Sequence, residues 1–276
     1  MLSYLSAPLA EDIEVTRRIS EMEAIPGVSA AVAPSLRVSP RSSAARKQKA
    51  RQIIAIGGGG FTLDLENLAL DRYVLEQTAK RRPRIAYLPT ASGDTDTSIA
   101  RFYTAFSTLE CQPSHLPFFK RTPDLRAYLL VQDVIYVGPG NTKSMLALWR
   151  DWGMPEILRE AWQRGIVLAG TSAGGICWFE QGVTDSYADR LRAIECMGFL
   201  HGSCCPHYDG EPERAPSFRN MMQQDEVMPG IAIDDHAAVH FRDTAIYRVI
   251  SDRRGSSAYR VEKIGGKIRQ RPLKPG

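Results

Sequence analysis

Three times in this chain a short aliphatic run breaks off in glycine: IIAIGGGG (53–60), DVIYVGPG (133–140) and IVLAGTSAGG (166–175). Runs of this length, bounded by Gly, read as strands buried on both faces. Helical spacing fills the gaps. Over 65–80 it sets Leu65, Leu68, Ala69, Leu75 and Ala79 on one side, and further helices are expected over 98–109, 122–132 and 141–165, the last broken near Gly153–Pro155. Strands are also expected over 84–91 and 114–119. Parallel strands need a crossover of a dozen or more residues, and the intervening helices supply it. After residue 200 strands prevail, at 228–234, 244–251, 257–264 and 267–273, joined by turns containing Gly255 or Gly265–Gly266. The expected fold is a three-layer α/β/α sandwich, a mostly parallel sheet with an antiparallel C-terminal edge. All site residues are expected on that one sheet, beyond the carboxyl ends of its strands, where ligands bind in such folds.

Composition narrows the function classes. The 276 residues are 43% hydrophobic and 24% charged, the balance of ordinary globular proteins. The longest apolar stretch, LLVQDVIYV (129–137), carries a polar break and is too short for a transmembrane helix. The net charge of +4 is weak, and only ARKQKAR (45–51) clusters positive charge, so nucleic acid is not an expected partner. Residues 1–50, rich in Ser, Ala and Pro, show no sustained period and read as a flexible extension ahead of a catalytic domain over 51–276. The opening MLSYLSAPLA runs at once into Glu11, Asp12 and Glu14, unlike a secretory signal. Five cysteines make no disulfide framework, and a cytoplasmic setting is expected.

The strongest chemical signal is Gly170-Thr171-Ser172-Ala173-Gly174, a G-x-S-x-G pattern placed directly after a strand and directly before a helix. A sharp strand-to-helix turn there thrusts the serine hydroxyl out of the sheet, and the flanking glycines remove side chains that would clash. The competing reading is a plain structural turn. Serine needs a base, and His115, His201, His207, His236 and His240 are available. The orienting acid could be Asp185, Asp189, Asp209, Glu211, Asp234 or Asp235; a strand-end carboxylate favours the Asp234–Asp235 pair. The turn Gly138–Thr142 could supply half of an oxyanion hole, or Asn141 could simply cap the next helix. GGGG (57–60) lacks the third glycine of a dinucleotide fingerprint and no Walker lysine follows it, so it reads as a close-approach turn near the substrate site. Cys204, Cys205 and His207 lack the spacing of a metal site, and no metal or cofactor is expected.

Four segments in this order, VGPGNT (137–142), GTSAGGICWF (170–179), CPHYDGEPER (205–214) and IAIDDHAAVHF (231–241), resemble the peptidase E (aspartyl dipeptidase) family, whose fold is that of the class I glutamine amidotransferases. The resemblance runs from about residue 53 to 264. It implies Ser172 as nucleophile, His207 as general base, and Gly140 and Ala173 as the oxyanion-hole amides. The related amidotransferases carry Cys at the elbow, so Ser172 argues against glutaminase chemistry. The third triad member, often Glu in such relatives, falls on Asp235, one methylene shorter; Asp185 is the other acid placed near the site.

The resemblance further implies a serine exopeptidase for short peptides, dipeptides with N-terminal Asp above all, acting as a monomer or homodimer. Arg214 and Arg219 then hold the substrate carboxylate and Glu211 its amino group, with surface arginines as the competing reading. A cyanophycinase-like β-aspartyl exopeptidase and a non-catalytic binding protein on the same scaffold are the alternatives.

Overall fold

The structure, a computed structural model, describes residues 50–273. Apart from residue 50, the extension expected over 1–50 lies outside the described residues. Along the chain, β1 (Gln52–Gly58), α1 (Ala69–Glu76), β2 (Arg84–Leu88), α2 (Asp96–Phe106), β3 (Gln112–His115), α3 (Leu125–Leu129), β4 (Val134–Val137), α4 (Thr142–Asp151), α5 (Met154–Gln163) and β5 (Val167–Thr171) alternate as the sequence predicts. The break in the long helical stretch falls at Gly153, whose φ of 65° no ordinary residue adopts cheaply, and Pro155 sits in the first turn of α5.

These strands form a seven-stranded sheet in the order β11-β10-β1-β5-β4-β2-β3. From β1 to β3 all pairings are parallel. Burial on both faces explains the unbroken apolar strands. Ile53, Ala55, Ile135, Val137 and Leu168 pack with Met145, Trp149, Leu158 and Trp162 of α4 and α5 on one face. Ile54, Ile56, Tyr87, Tyr136 and Ala169 pack with Val74, Phe102 and Phe106 of α1 and α2 on the other. With period 2 in the strand, each alternate residue feeds a different layer.

The second half of the chain adds α6 (Ala173–Ile176), β6 (Phe179–Thr184), β7 (Arg192–Glu195), β8 (Leu200–Cys205), α7 (Arg214–Gln223), β9 (Gly230–Ile233), β10 (Ala237–Arg242), β11 (Ala245–Ser251), β12 (Ala258–Ile264) and β13 (Lys267–Pro272). The antiparallel C-terminal edge is present as β10 and β11. The rest corrects the expectation of one sheet. β12 and β13 do not join that edge but belong to a six-stranded sheet, β13-β12-β9-β8-β6-β7, in which β6, β8 and β9 run parallel. One face of this sheet, with Phe179, Cys204, Ile231 and Ile233, shares the main core; the other, with Cys205 and Ala232, is covered by Phe218, Met221 and Met222 of α7. Strands β6, β7 and β8 escape the sequence reading because FEQGVT, RAIE and LHGSCC form neither an unbroken apolar run nor a strict alternation. All five cysteines are free thiols, as Cys204 and Cys205 in β8 illustrate. No helix among the described residues is long and apolar enough to cross a membrane.

The chain passes from the second sheet to the first between β9 and β10, within Asp234–His236. There Asp235 forms an isolated parallel bridge with Gly58 at the end of β1. The two sheets are thus laced together at one seam, at the carboxyl ends of their parallel strands.

Candidate active site

Ser172 occupies the single residue between β5 and α6 with φ 55° and ψ −113°, a strained backbone for a side-chain-bearing residue. Close approach on every side holds it there. Its N–H donates to Ile56 O (3.0 Å), and its own carbonyl accepts from the N–H groups of Gly175 and Ile176. A Cβ at Gly170 would lie 2.4 Å from Gly174 O, and one at Gly174 would lie 2.1 Å from Val137 O. Both flanking glycines of the motif are therefore required by packing, and the elbow is pressed against the end of β4. The turn that follows β4 carries Gly140, exposed at φ 134°. Among the described residues, neither the Gly140 nor the Ala173 N–H donates a hydrogen bond. Asn141 caps α4, its Oδ1 accepting from Ser144 N–H, while its amide reaches Ser186 O at 3.5 Å.

His207 and Asp235 come from the second sheet. His207 follows β8 after Pro206, also at positive φ (51°), and Asp235 follows β9. Because β8 and β9 are parallel neighbours, with Cys205 in register with Ala232, their ends reach the seam together. His207 Nδ1–H donates to Asp235 Oδ1 (2.7 Å), and Nε2 accepts from Ser172 Oγ–H (2.9 Å). The tautomer follows from the acid: an ionised carboxylate only accepts, so Nδ1 must carry the proton. Burial pushes the Asp235 carboxyl up, but the hydrogen bond from His207, with the electrostatic influence of His207, His236 and Arg253, outweighs it and holds the group below its ordinary value. Both side chains are 16% exposed.

Glycines make room for this pair. A Cβ at Gly58 would lie 2.0 Å from Asp235 Oδ1 and 2.7 Å from His207 Nδ1; one at Gly210 would lie 1.9 Å from Asp235 Oδ2. A Cβ at Gly57 would meet Asp234 O at 2.4 Å. The GGGG run is thus the surface of β1 onto which the second sheet's strand ends close. Asp209, one of the candidate orienting acids, supports Asp235 instead, accepting from Asp235 N–H (2.7 Å) while pairing with Arg253.

The other candidates separate cleanly. Asp234 turns away from His207, accepting from Ser257 N–H and Tyr259 O–H of the β12 side. Asp189 pairs with Arg192. His115 bonds Tyr103, His201 bonds Glu180, His240 bonds Tyr73 and His236 bonds Asp252. Arg214 is only 2% exposed; its guanidinium donates to Glu211 (2.6 Å) and to Val183 O (3.2 Å) and pairs with Asp185 (3.5 Å). It is engaged inside the protein rather than open to a ligand, whereas Asp185 and Glu211 are 66% and 35% exposed. Arg219 points to Tyr208 OH and to Gln270 of β13. Among the described residues no group of three His, Cys, Asp or Glu is placed to hold a metal ion.

A serine hydroxyl bonded to an imidazole that is oriented by a half-buried carboxylate can be deprotonated as it attacks a carbonyl. Comparison with known proteins agrees with that chemistry. Residues 53–249 match the model of peptidase family S51. The chain belongs to this family. It is 51% identical over 224 residues, 81% of this chain and 97% of the relative, to the uncharacterized peptidase YgaJ of Bacillus subtilis (strain 168). Its fold is similar to a crystal structure of a peptidase from an acI-B1 Actinobacterium (TM-score 0.62, 18% identity, 83% of this chain and 96% of that one). It is also similar to a putative peptidase E of Listeria monocytogenes EGD-e (TM-score 0.54, 17% identity, 73% and 98%). The resemblance to peptidase E read from the four motifs is borne out, and this S51 peptidase is a serine-type hydrolase rather than a non-catalytic binding protein.

Proposed function

We propose that this S51 peptidase is an exopeptidase for short peptides, working through an acyl-enzyme on Ser172. The observation that carries the proposal is the continuous hydrogen-bonded line from Ser172 Oγ through His207 to Asp235. In this reading His207 Nε2 takes the Ser172 proton as Oγ attacks the scissile carbonyl. The N–H groups of Gly140 and Ala173 receive the oxyanion. His207 then protonates the leaving amine, and water, deprotonated by the same imidazole, releases the acyl group. Asp235 holds the imidazole in its working tautomer throughout.

Dipeptides with N-terminal Asp are the first substrates to test, as the likeness to aspartyl dipeptidases suggests. Contacts join the candidate specificity residues to the centre. Glu211 N–H donates to His207 O (3.1 Å), Glu211 and Asp185 share Arg214, and the neighbouring Ser186 meets Asn141 beside Gly140. The exposed Asp185 and half-buried Glu211 carboxylates around one buried guanidinium suit the peptide's ammonium group. The saturation of Arg214 favours a second reading, in which the preferred N-terminal residue carries no carboxylate. Hydrolysis of Asp-Xaa, Glu-Xaa, Asn-Xaa, Met-Xaa and β-Asp-Arg, with Ser172→Ala as control, separates these readings. Preference for Asp-Xaa supports the first, preference for Asn-Xaa or Met-Xaa the second, and β-Asp-Arg the cyanophycinase-like alternative. A Ser172→Ala protein that keeps full activity overturns the acyl-enzyme.

A further inference from the structure

A second histidine–aspartate pair lies directly behind the first. His236 follows Asp235 and stands where the chain leaves β9 of one sheet for β10 of the other. Its φ is 63°, the left-handed region that histidine seldom adopts. Three hydrogen bonds fix it there. His236 N–H donates to Gly58 O at 2.6 Å, its carbonyl accepts from Asp252 N–H at 3.0 Å, and its Nδ1 bonds Asp252 Oδ1 at 2.9 Å. Asp252 follows β11 at the edge of the main sheet; its side chain is 3% exposed, and Oδ2 is buried without a partner among the described residues. Burying a carboxylate at the cost of one unpartnered oxygen needs a compensating role, and its one side-chain hydrogen bond is to His236.

We infer that His236 and Asp252 are a positioning pair: they moor the Asp235 backbone to the main sheet and so set where its carboxylate meets His207. Asp235 is held from the second sheet by the β9 pairing and by Asp209, but the nucleophile it serves belongs to the first. Only the His236 side has bonds to both β1 and the β11 end. Gly58, whose carbonyl takes the His236 N–H, is also the residue whose α-carbon faces Asp235 Oδ1. The main-sheet mooring and the carboxylate therefore share one backbone contact. Among the described residues neither His236 nor Asp252 hydrogen-bonds Ser172 or His207, so their effect runs through Asp235.

This inference rests on the Ser172–His207–Asp235 reading, and its test includes a readout that needs no substrate. His236→Asn keeps a residue that tolerates left-handed backbone but is too short to reach Asp252; Asp252→Asn keeps the shape and removes the charge. In each variant the low-field proton resonance of the His207 Nδ1–H bond to Asp235 is recorded on the resting protein, alongside kcat, KM and the thermal midpoint. The expected result is a shifted or exchange-broadened resonance and a kcat lowered about tenfold in His236→Asn, less in Asp252→Asn, with KM unchanged within twofold. An unaltered resonance with wild-type kcat in both variants overturns the inference. So does loss of folding in both, which would assign the pair to the fold rather than to the triad; if only one folds, that variant decides. Should Ser172→Ala prove active, the peptidase mechanism falls, while the resonance still reports whether the pair positions Asp235.

Discussion

The two sheets are built alike at their centres and serve different ends. Each has parallel strands whose carboxyl ends face the seam: β1, β5 and β4 in one, β8 and β9 in the other. The first contributes the serine and the candidate oxyanion amides, carried on turns so tight that Gly170 and Gly174 have no space for a methyl group. The second contributes the imidazole and the carboxylate, carried on strand ends that the β8–β9 pairing brings to the same place. The serine side is a matter of local backbone strain; the base side is a matter of register between strands distant in sequence. The proposed catalytic groups, divided in this way, depend on the seam as much as on either sheet.

If both sheets feed one chemical unit, removing either contribution should cost about the same. Ser172→Ala and His207→Ala are each expected to lower kcat by about 10⁴-fold or more, and the double variant to be no worse than the singles, since groups that act together are not additive. Additive losses in steady-state assays would mean that the sheets act separately. The seam itself is tested by Gly58→Ala. The new methyl group would overlap Asp235 Oδ1 and His207 Nδ1, and a displacement near an ångström costs on the order of 10²-fold in kcat. Circular dichroism should show the fold intact, and wild-type turnover would show that the seam has slack. Gly230→Ala probes the second sheet alone: its Cβ would lie 2.1 Å from Ser203 O, across the β8–β9 pairing. Overpacking of this kind costs about 1–3 kcal/mol, to be read from urea denaturation.

The smallest effect concerns the main sheet's own titratable groups. Burial lifts the Asp71 carboxyl from 3.8 to about 7, the Phe61 N–H opposing and the charge of Asp252 adding to the rise. The folded state then binds more protons than the unfolded one between those values, so this contribution to stability falls as pH rises from about 4 through about 7. His240 runs the other way: burial, with Arg242 and Arg248, lowers it from 6.5 to about 4, so its contribution is lost as pH falls through that same window. Asp71→Asn should remove the first slope and leave the second, visible as a thermal midpoint that rises more steeply toward neutral pH than that of the parent protein. A midpoint profile unchanged by the substitution would deny Asp71 this role.

How much of this was legible in the sequence follows the same division. The position of Ser172 is written within ten residues, strand, turn and helix together, and the alternation up to β5 was readable because β1, β2, β4 and β5 are apolar and buried; β3 is the polar QPSH, and the sequence places it two residues late. His207 could not be told from four other histidines by its neighbours alone, because its place depends on β8 pairing with β9. Asp234 and Asp235 are adjacent and so face opposite sides of a strand end; which one meets the imidazole is fixed by the bonds of Asp234 to Ser257 and Tyr259, a tertiary fact. Arg214 reads in the sequence as a substrate-binding or a surface arginine and is instead engaged inside the protein, where Asp185 and Glu211, from two different turns, converge on it. Asp252 carries no local sign of its partner.

The span between β8 and β9 has a consequence of its own. Its two ends are fixed posts, Ser203 set against Gly230 and Cys205 against Ala232. Between them the chain carries Glu211, Arg214, Arg219 and the whole of α7. His207, Asp209 and Gly210 sit close to the first post, where they meet Asp235 and Ser172, so only the stretch beyond them can be lengthened, shortened or exchanged while the imidazole stays planted. If that stretch selects the substrate as proposed, lineages descended from one ancestor could change diet without relearning how to cut.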